Sequence, residues 1–427
     1  MKKILALLLA LCMIVALAAC GEAKTEEPKA DAPAEGEEVV LKLWCIATES
    51  DANRPAYLQA IADYEASHPG VKIEMEAFEN ESYKTKIKAA MMGGDTSDLP
   101  DIFFSWSGAF LGEFVNAGRV QCLDENFKPY ADKIPESMLS TTTYDGKHYG
   151  VPTTFNIVAM YANMDMLAEV GWDHVPQTYD DLIACCDALV AAGKIPFGCA
   201  GMETWCVTEY LEPIIIKSIG YEALDKIFAG EATWNDPDIA KAVDVLQEMI
   251  NKGYFDPDGI ALGNDEVKAN FLAGKTAFYQ NGSWNTGEVA AASFKAGVGL
   301  FPLMNADRSS YYQTIGGPSD VLAVCATSKN VEAASKAAVE LGQEICHYNF
   351  LNAVGCPAWA VDYDTSSLTP LMVEIGQVVN SCEGLVLFGD TAMAADPAQV
   401  YLSYVDQVYG CAIDGAGFVA GLTKDLG

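Results

Sequence analysis

Two apolar stretches with a helical segment between them constrain this chain most. Val39 to Ile46, VVLKLWCI, is a near-continuous apolar run of strand length, and Val71 to Ala77, VKIEMEA, alternates apolar and charged residues like a half-exposed strand. Between them Pro55 opens a helical segment with Leu58, Ile61 and Tyr64 at core spacing, and His68-Pro69-Gly70 closes it. Strand, helix and strand form the unit of mostly parallel sheets, so the expected class is α/β.

Later segments keep the alternation. Thr178-Tyr179-Asp180-Asp181 reads as a capping box ahead of Leu182, Cys185 and Leu189, with Gly193 just past the end. Asp236-Pro237 starts another helix, striped by Ile239, Val243, Leu246 and Ile250 and stopped at Gly253. In AFYQNGSWNTG, residues 277 to 287, Phe278 and Tyr279 read as a strand end, and Asn281-Gly282-Ser283 as a turn that presents Trp284. A chain of 427 residues with 51% hydrophobic content can fill more than one core.

The N-terminal segment follows different rules. Lys2 and Lys3 precede an uncharged apolar run from Ile4 to Ala19, which is the pattern of a secretory signal and too short for a mature membrane helix. Its ending, Leu17-Ala18-Ala19-Cys20, resembles the bacterial lipobox, which implies cleavage after residue 19 and a diacylglycerol on the Cys20 thiol. Residues 20 to 38, rich in Glu, Ala and Pro with no large apolar side chain, are expected to be a disordered acidic linker.

Charge and rare residues exclude several function classes. A formal net charge of -33 repels phosphate backbones and anionic head groups, so no nucleic-acid partner is expected. Besides Cys12 and Cys20 eleven cysteines remain of the 13, with no CxxC or Cys/His spacing. They are expected to be mostly reduced and buried, with Cys199 and Cys206 the one close pair for a disulfide. The four His, at 68, 148, 174 and 347, form no HExxH, and no G-x-S-x-G elbow or P-loop is present. Asp256-Pro257-Asp258-Gly259 lacks the glutamate that a calcium loop carries at its twelfth position, where Val267 stands, so it reads as a turn. No catalytic residue, cofactor or metal is expected.

One ordered set of motifs is more specific. Leu99-Pro100-Asp101-Ile102-Phe103-Phe104 leads through Ser105-Trp106 to Gly118 and Leu123-Asp124, then Asp145-Gly146-Lys147-His148-Tyr149-Gly150-Val151-Pro152. Tyr161-Ala162-Asn163-Met164-Asp165 and Val175-Pro176-Gln177-Thr178-Tyr179-Asp180-Asp181-Leu182 follow. Phe271-Leu272-Ala273-Gly274-Lys275-Thr276-Ala277-Phe278 precedes Asn281-Gly282-Ser283-Trp284. In this order they resemble the extracellular solute-binding proteins of carbohydrate ABC transporters, a maltodextrin-binding-protein-like family, over essentially the whole mature chain.

The resemblance implies two α/β lobes that close over a sugar. Lobe 1 would take residues 39–155 and 318–352, lobe 2 residues 156–312 and 357–427, with hinges near 153–157, 313–318 and 353–357. It also implies a monomer with a carbohydrate ligand, permease subunits as membrane partners and a cytoplasmic ATPase acting indirectly. The location would be the extracellular face of a Gram-positive-type cell, held through Cys20.

A sugar needs paired hydrogen-bonding groups for its hydroxyls and aromatic faces for its C–H patches, and in open α/β sheets ligands lie beyond the carboxyl ends of strands. The loops after the first and third expected strands supply Glu49, which could equally cap the next helix, and Ser105 with Trp106. Through the resemblance come Asn156 at the first crossover, Glu203 and Trp205, Trp284, and Asp390 in a late loop beside Phe388. Gly316 and Gly317 are expected to let the crossover backbone approach the ligand. Trp44, Trp172, Trp234 and Trp359 are assigned to packing. A phosphate ligand is disfavoured, Arg54 and Lys275 being the nearest cations. Two alternatives stay open: a receptor for another polar solute such as a polyamine, and a surface glycoside hydrolase using paired acids among the 59 acidic residues.

Overall fold

The computed structural model describes residues 38–94 and 98–427, so the expected signal, Cys20 and residues 20–37 of the expected linker lie outside it. In chain order the strands are β1 (Val39–Cys45), β2 (Val71–Ala77), β3 (Ile102–Trp106), the short pair β4 (Thr143–Tyr144) and β5 (Lys147–His148), and β6 (Gly150–Pro152). They continue with β7 (Asn156–Asn163), β8 (Ile195–Gly198), β9 (Thr276–Gly282), β10 (Ala296–Gly299), β11 (Gln313–Gly317), β12 (Asp320–Val324) and β13 (Gly384–Val386).

These strands form two main sheets. The first has the order β2-β1-β3-β12-β6, with β2 and β3 parallel to β1, and β12 antiparallel to β3 and β6. The second has the order β13-β11-β7-β9-β8, with β10 also paired to β7. Sequence pattern accounts for the positions. Edge strand β2 exposes Lys72, Glu74 and Glu76 and buries Ile73, whereas β7 is buried at every residue, as a central strand covered on both faces must be.

The helix Arg54–Ser67 has Pro55 in its first turn and buries Ala56, Tyr57, Ala60, Ile61 and Tyr64. Leu58, expected in the core, is 47% exposed. Tyr57, Ile61 and Tyr64 share the inward face at helical spacing, and Leu58 is rotated about 100° away from Tyr57. The helices Tyr179–Ala191 and Pro237–Asn251 begin as expected, their first free amides bonded by the side chains of Thr178 (3.2 Å to Asp181 N) and Asp236 (2.9 Å to Asp238 N).

The helix Thr204–Ile219 is unusual in being buried on all sides from Cys206 to Ile219, including three charged residues, Glu209, Glu212 and Lys217. The Lys217 ammonium donates to the carbonyls of Ser310, Tyr311 and Gln313, and so ties this helix to the chain just ahead of β11.

Short links carry the chain between the sheets. Residues 153–155 join β6 to β7, and Pro318 with Ser319 joins β11 to β12. A third passage follows the helix Val331–Leu351, where Cys356 and Phe155 exchange backbone hydrogen bonds of 2.8 and 2.7 Å.

The eleven cysteines of the described residues are free thiols. Cys199 and Cys206 are not bridged, which corrects the pairing considered from their spacing. Cys199 Sγ is directed at the Cys206 carbonyl (3.8 Å) and Cys206 Sγ at Asn264 Oδ1 (3.7 Å). Burial pushes both thiols up, which leaves little thiolate for disulfide chemistry.

Candidate functional site

A cleft of about 350 Å³ is lined by segments that follow β1, β2, β3, β8, β9 and β13, together with the link into β12. Strand ends from two sheets thus converge on one cavity, the place where open α/β sheets present ligand-binding loops.

Aromatic side chains build its walls. Trp106 ends β3 and is held by Phe104 (ring centroids 4.9 Å apart, 87°) and Phe110 (5.1 Å, 76°) in edge-on contacts. Opposite stand Trp205 and Trp284, 6.2 Å apart, with Phe388 6.0 Å from Trp284. Each is only partly enclosed except Phe388, so ring surface remains open to the cavity. Strand β9 runs on through Gly282, and the turn comes at the single 3-10 turn Ser283–Asn285. The expected turn over Asn281-Gly282-Ser283 is therefore displaced by about two residues, because Asn281 continues the pairing with β7. Its side chain then accepts from Asn285 Nδ2 at 2.8 Å, fixing the turn that carries Trp284.

Eight carboxyl groups line the cleft, against two lysines, Lys84 and Lys268. Glu203 accepts from Trp205 Nε1 (3.0 Å) and from the Asn264 amide (2.7 Å), which fixes the Trp205 ring. Lys84 pairs with Asp390 across the cavity at 3.3 Å and lies 5.2 Å from the Trp106 ring centre. Burial opposes its charge, yet Asp390 and Glu81 hold its pKa above the usual lysine value.

Three acids are raised as well, which in their case favours the neutral form. Burial, reinforced by Asp51, raises Asp320 to about 7 despite the Ser319 hydroxyl. Burial raises Glu209 and Glu212 well above the usual carboxylate range, with Glu212 and Asp390 adding to the effect on Glu209 and Asp390 to that on Glu212. Glu212 is satisfied by the Gly389 amide (3.2 Å) and Tyr401 hydroxyl (3.1 Å) and so anchors the Phe388–Asp390 loop.

Of the expected site residues, Trp106, Glu203, Trp205, Trp284 and Asp390 line this cleft. The other five stand elsewhere. Glu49 is exposed between Thr48 and Ser50, which do line it. Ser105 is fully buried and donates to the Trp106 carbonyl at 3.0 Å. Asn156 is fully buried and accepts from Ser283 Oγ at 2.8 Å. Gly316 has its close approach to β7 instead of to a cavity, since a Cβ there would lie 2.3 Å from the Asn156 carbonyl oxygen. Gly317 pairs with Asn156, and a Cβ there would meet Leu387 at 2.9 Å. Lys84, Glu209, Lys268 and Asp320 line the cleft without having been singled out. Arg54 bonds the Ala47 carbonyl and Lys275 bonds Asn270, neither lining it. Trp44, Trp234 and Trp359 are core residues.

A sequence profile of the bacterial extracellular solute-binding proteins matches residues 49–341. The chain belongs to that family. It is a binding protein and not an enzyme, which removes the glycosidase alternative. The multiple sugar-binding protein of Streptococcus mutans is 25% identical over 338 residues, 75% of this chain and 74% of the relative. An uncharacterised ABC transporter extracellular-binding protein of Pyrococcus horikoshii is 28% identical over 311 residues, 71% of each chain. A solved structure from work on xylan utilization by Caldanaerobius polysaccharolyticus matches with TM-score 0.86 at 28% identity, covering 91% of this solute-binding protein and 100% of that chain. A chitin oligosaccharide binding protein shares the fold, with TM-score 0.83 at 23% identity over 92% of this chain and 98% of its own.

In this solute-binding protein the Trp284 ring lies flat over Gly282, where a Cβ would come within 2.1 Å of the ring. Gly282→Ala therefore lifts the ring off its seat and is expected to weaken solute binding roughly tenfold, read by calorimetric titration. An unchanged affinity would show that the ring position does not matter.

Proposed function

We propose that this solute-binding protein captures a sugar or short oligosaccharide in the cleft and delivers it to an ABC transporter permease. The observation that carries the reading is the set of Trp106 on one wall and Trp205 and Trp284 on the other, among side-chain carboxylates and amides. Indole faces suit the C–H patches of a pyranose, and the polar groups suit its hydroxyls, at about 1 kcal/mol net per good hydrogen bond. The name of the Streptococcus mutans relative supports the same ligand class.

The lobes are taken as residues 39–155 with 318–352 and 156–312 with 357–427, hinged near 153–157, 313–318 and 353–357. The open form admits ligand, contacts from both lobes favour the closed form, and the permease recognises that form. A thermal-shift screen of the purified protein against neutral sugars, amino sugars, amino acids and polyamines tests the reading. A saccharide at 100 times its Kd adds about 2.7 kcal/mol of stability and raises the melting temperature. A rise with a polyamine alone, and with no saccharide, would overturn it.

The protein is held at the extracellular face of the membrane through a lipid on Cys20. No helix among the described residues is long and apolar enough to cross a membrane. Cys20→Ala is expected to abolish incorporation of a labelled fatty acid into the expressed protein. Normal labelling of that variant would contradict the anchor.

A further inference from the structure

We propose that the saccharide taken by this cleft carries free amino groups, for which Glu209 and Asp320 are the receiving carboxylates. The inference rests on the carbohydrate reading above and narrows it to amino sugars.

Most acids around the cavity are already engaged. Glu79 bonds the amides of Glu81 and Ser82 (2.9 and 3.0 Å), and Glu266 bonds that of Gly263 (3.0 Å). Glu203 holds Trp205, Asp51 holds the Asn53 amide (2.8 Å), Asp265 meets Lys268 (3.6 Å), and Asp390 meets Lys84.

Two carboxyl groups differ. Glu209 lines the cleft at 1% exposure, and neither of its oxygens has a hydrogen-bond partner among the described residues. The ionisable groups that bear on it, Glu212 and Asp390, are acids as well. Among the described residues the Asp320 carboxyl receives only the Ser319 hydroxyl, at 3.3 Å, and it stands near Asp51. The first comes from the helix under the second sheet and the second from β12 of the first, so both walls offer an unmatched acid.

A buried carboxyl group without a partner is costly, and Glu209 is one, while half-buried Asp320 has a single long bond from a hydroxyl. A neutral hydroxyl would give each a hydrogen bond but would leave both in the protonated form that burial favours. An ammonium brings three donors and the missing positive charge. The surroundings suit a cation as well, because Asp320 is the cross-strand partner of Trp106, whose ring already lies beside the Lys84 ammonium. An N-acetylated amine offers one N–H and no charge, so acetylation should discriminate sharply.

The test is calorimetric titration of the purified protein at pH 7 with glucosamine, galactosamine and glucosamine oligosaccharides of two to four units. Each is compared with its N-acetylated and its neutral counterpart, and with spermidine. The expected result is that the free-amine form binds roughly tenfold tighter or better, and that Glu209→Gln and Asp320→Asn each reduce this preference toward parity. Both replacements keep side-chain shape, and ligand-free melting curves check the fold. A neutral or N-acetylated saccharide that binds as tightly or tighter overturns the proposal while the carbohydrate reading stands. A preference that survives both replacements overturns the assignment of these two residues. Spermidine binding with no saccharide binding overturns both the proposal and the carbohydrate reading.

Discussion

Trp106→Ala and Trp284→Ala are each expected to weaken saccharide binding by about 2 kcal/mol or more, roughly thirtyfold in Kd, without unfolding the protein. Both side chains are half-buried at strand ends on the cleft and not inside either core. Truncating Trp106 removes the ring that Phe104 and Phe110 hold edge-on, and the open indole face it offers across the cavity goes with it. Truncating Trp284 leaves Trp205 and Phe388 without the ring that stands between them. Titration calorimetry measures the affinity, and ligand-free melting confirms the fold. Unchanged affinity in both variants would remove the aromatic platforms from the account.

The second large effect concerns stability. Lys217→Met, unbranched, one atom shorter and without donors, is expected to cost roughly 3–5 kcal/mol, read from the midpoint of chemical unfolding. The Lys217 side chain is fully buried, and its ammonium serves three carbonyls at residues 310, 311 and 313. Methionine would leave those carbonyls buried without their donor, each bearing a desolvation cost. Because residue 313 begins β11, which leads to the second link between the sheets, looser anchoring there should also loosen the crossover. A variant as stable as the parent would show that water replaces the ammonium without penalty.

The α/β class was legible because periodicity is a local property. β2 has the bounds that VKIEMEA implies, and the helices at Thr178 and Asp236 start at their caps. Leu58 shows the limit: which of the apolar residues on one helix turn face inward is decided by the packed partner and not by local spacing. In the cleft, Trp106 was legible as an aromatic at a strand end, whereas Trp205 and Trp284 were picked out through the family resemblance. Gly316 and Asn156 were not separable from ligand contacts, because a glycine that admits a neighbouring strand reads like one that admits a sugar. Glu209 did carry a signal, one of three charges inside the largely apolar TWCVTEYLEPIIIKSI, but its lack of a partner exists only once helix, sheet and late loop are assembled. Lys84 likewise meets Asp390 across 306 residues of sequence, beyond any local pattern.

A crystal structure of the protein with the saccharide that most raises its melting temperature tests the central claim most directly. The account predicts a sugar ring against Trp106 or Trp284, with hydroxyl or amino groups bonded to side chains from both walls of the cleft. A saccharide bound elsewhere on the surface, with the cleft holding only water, would contradict it.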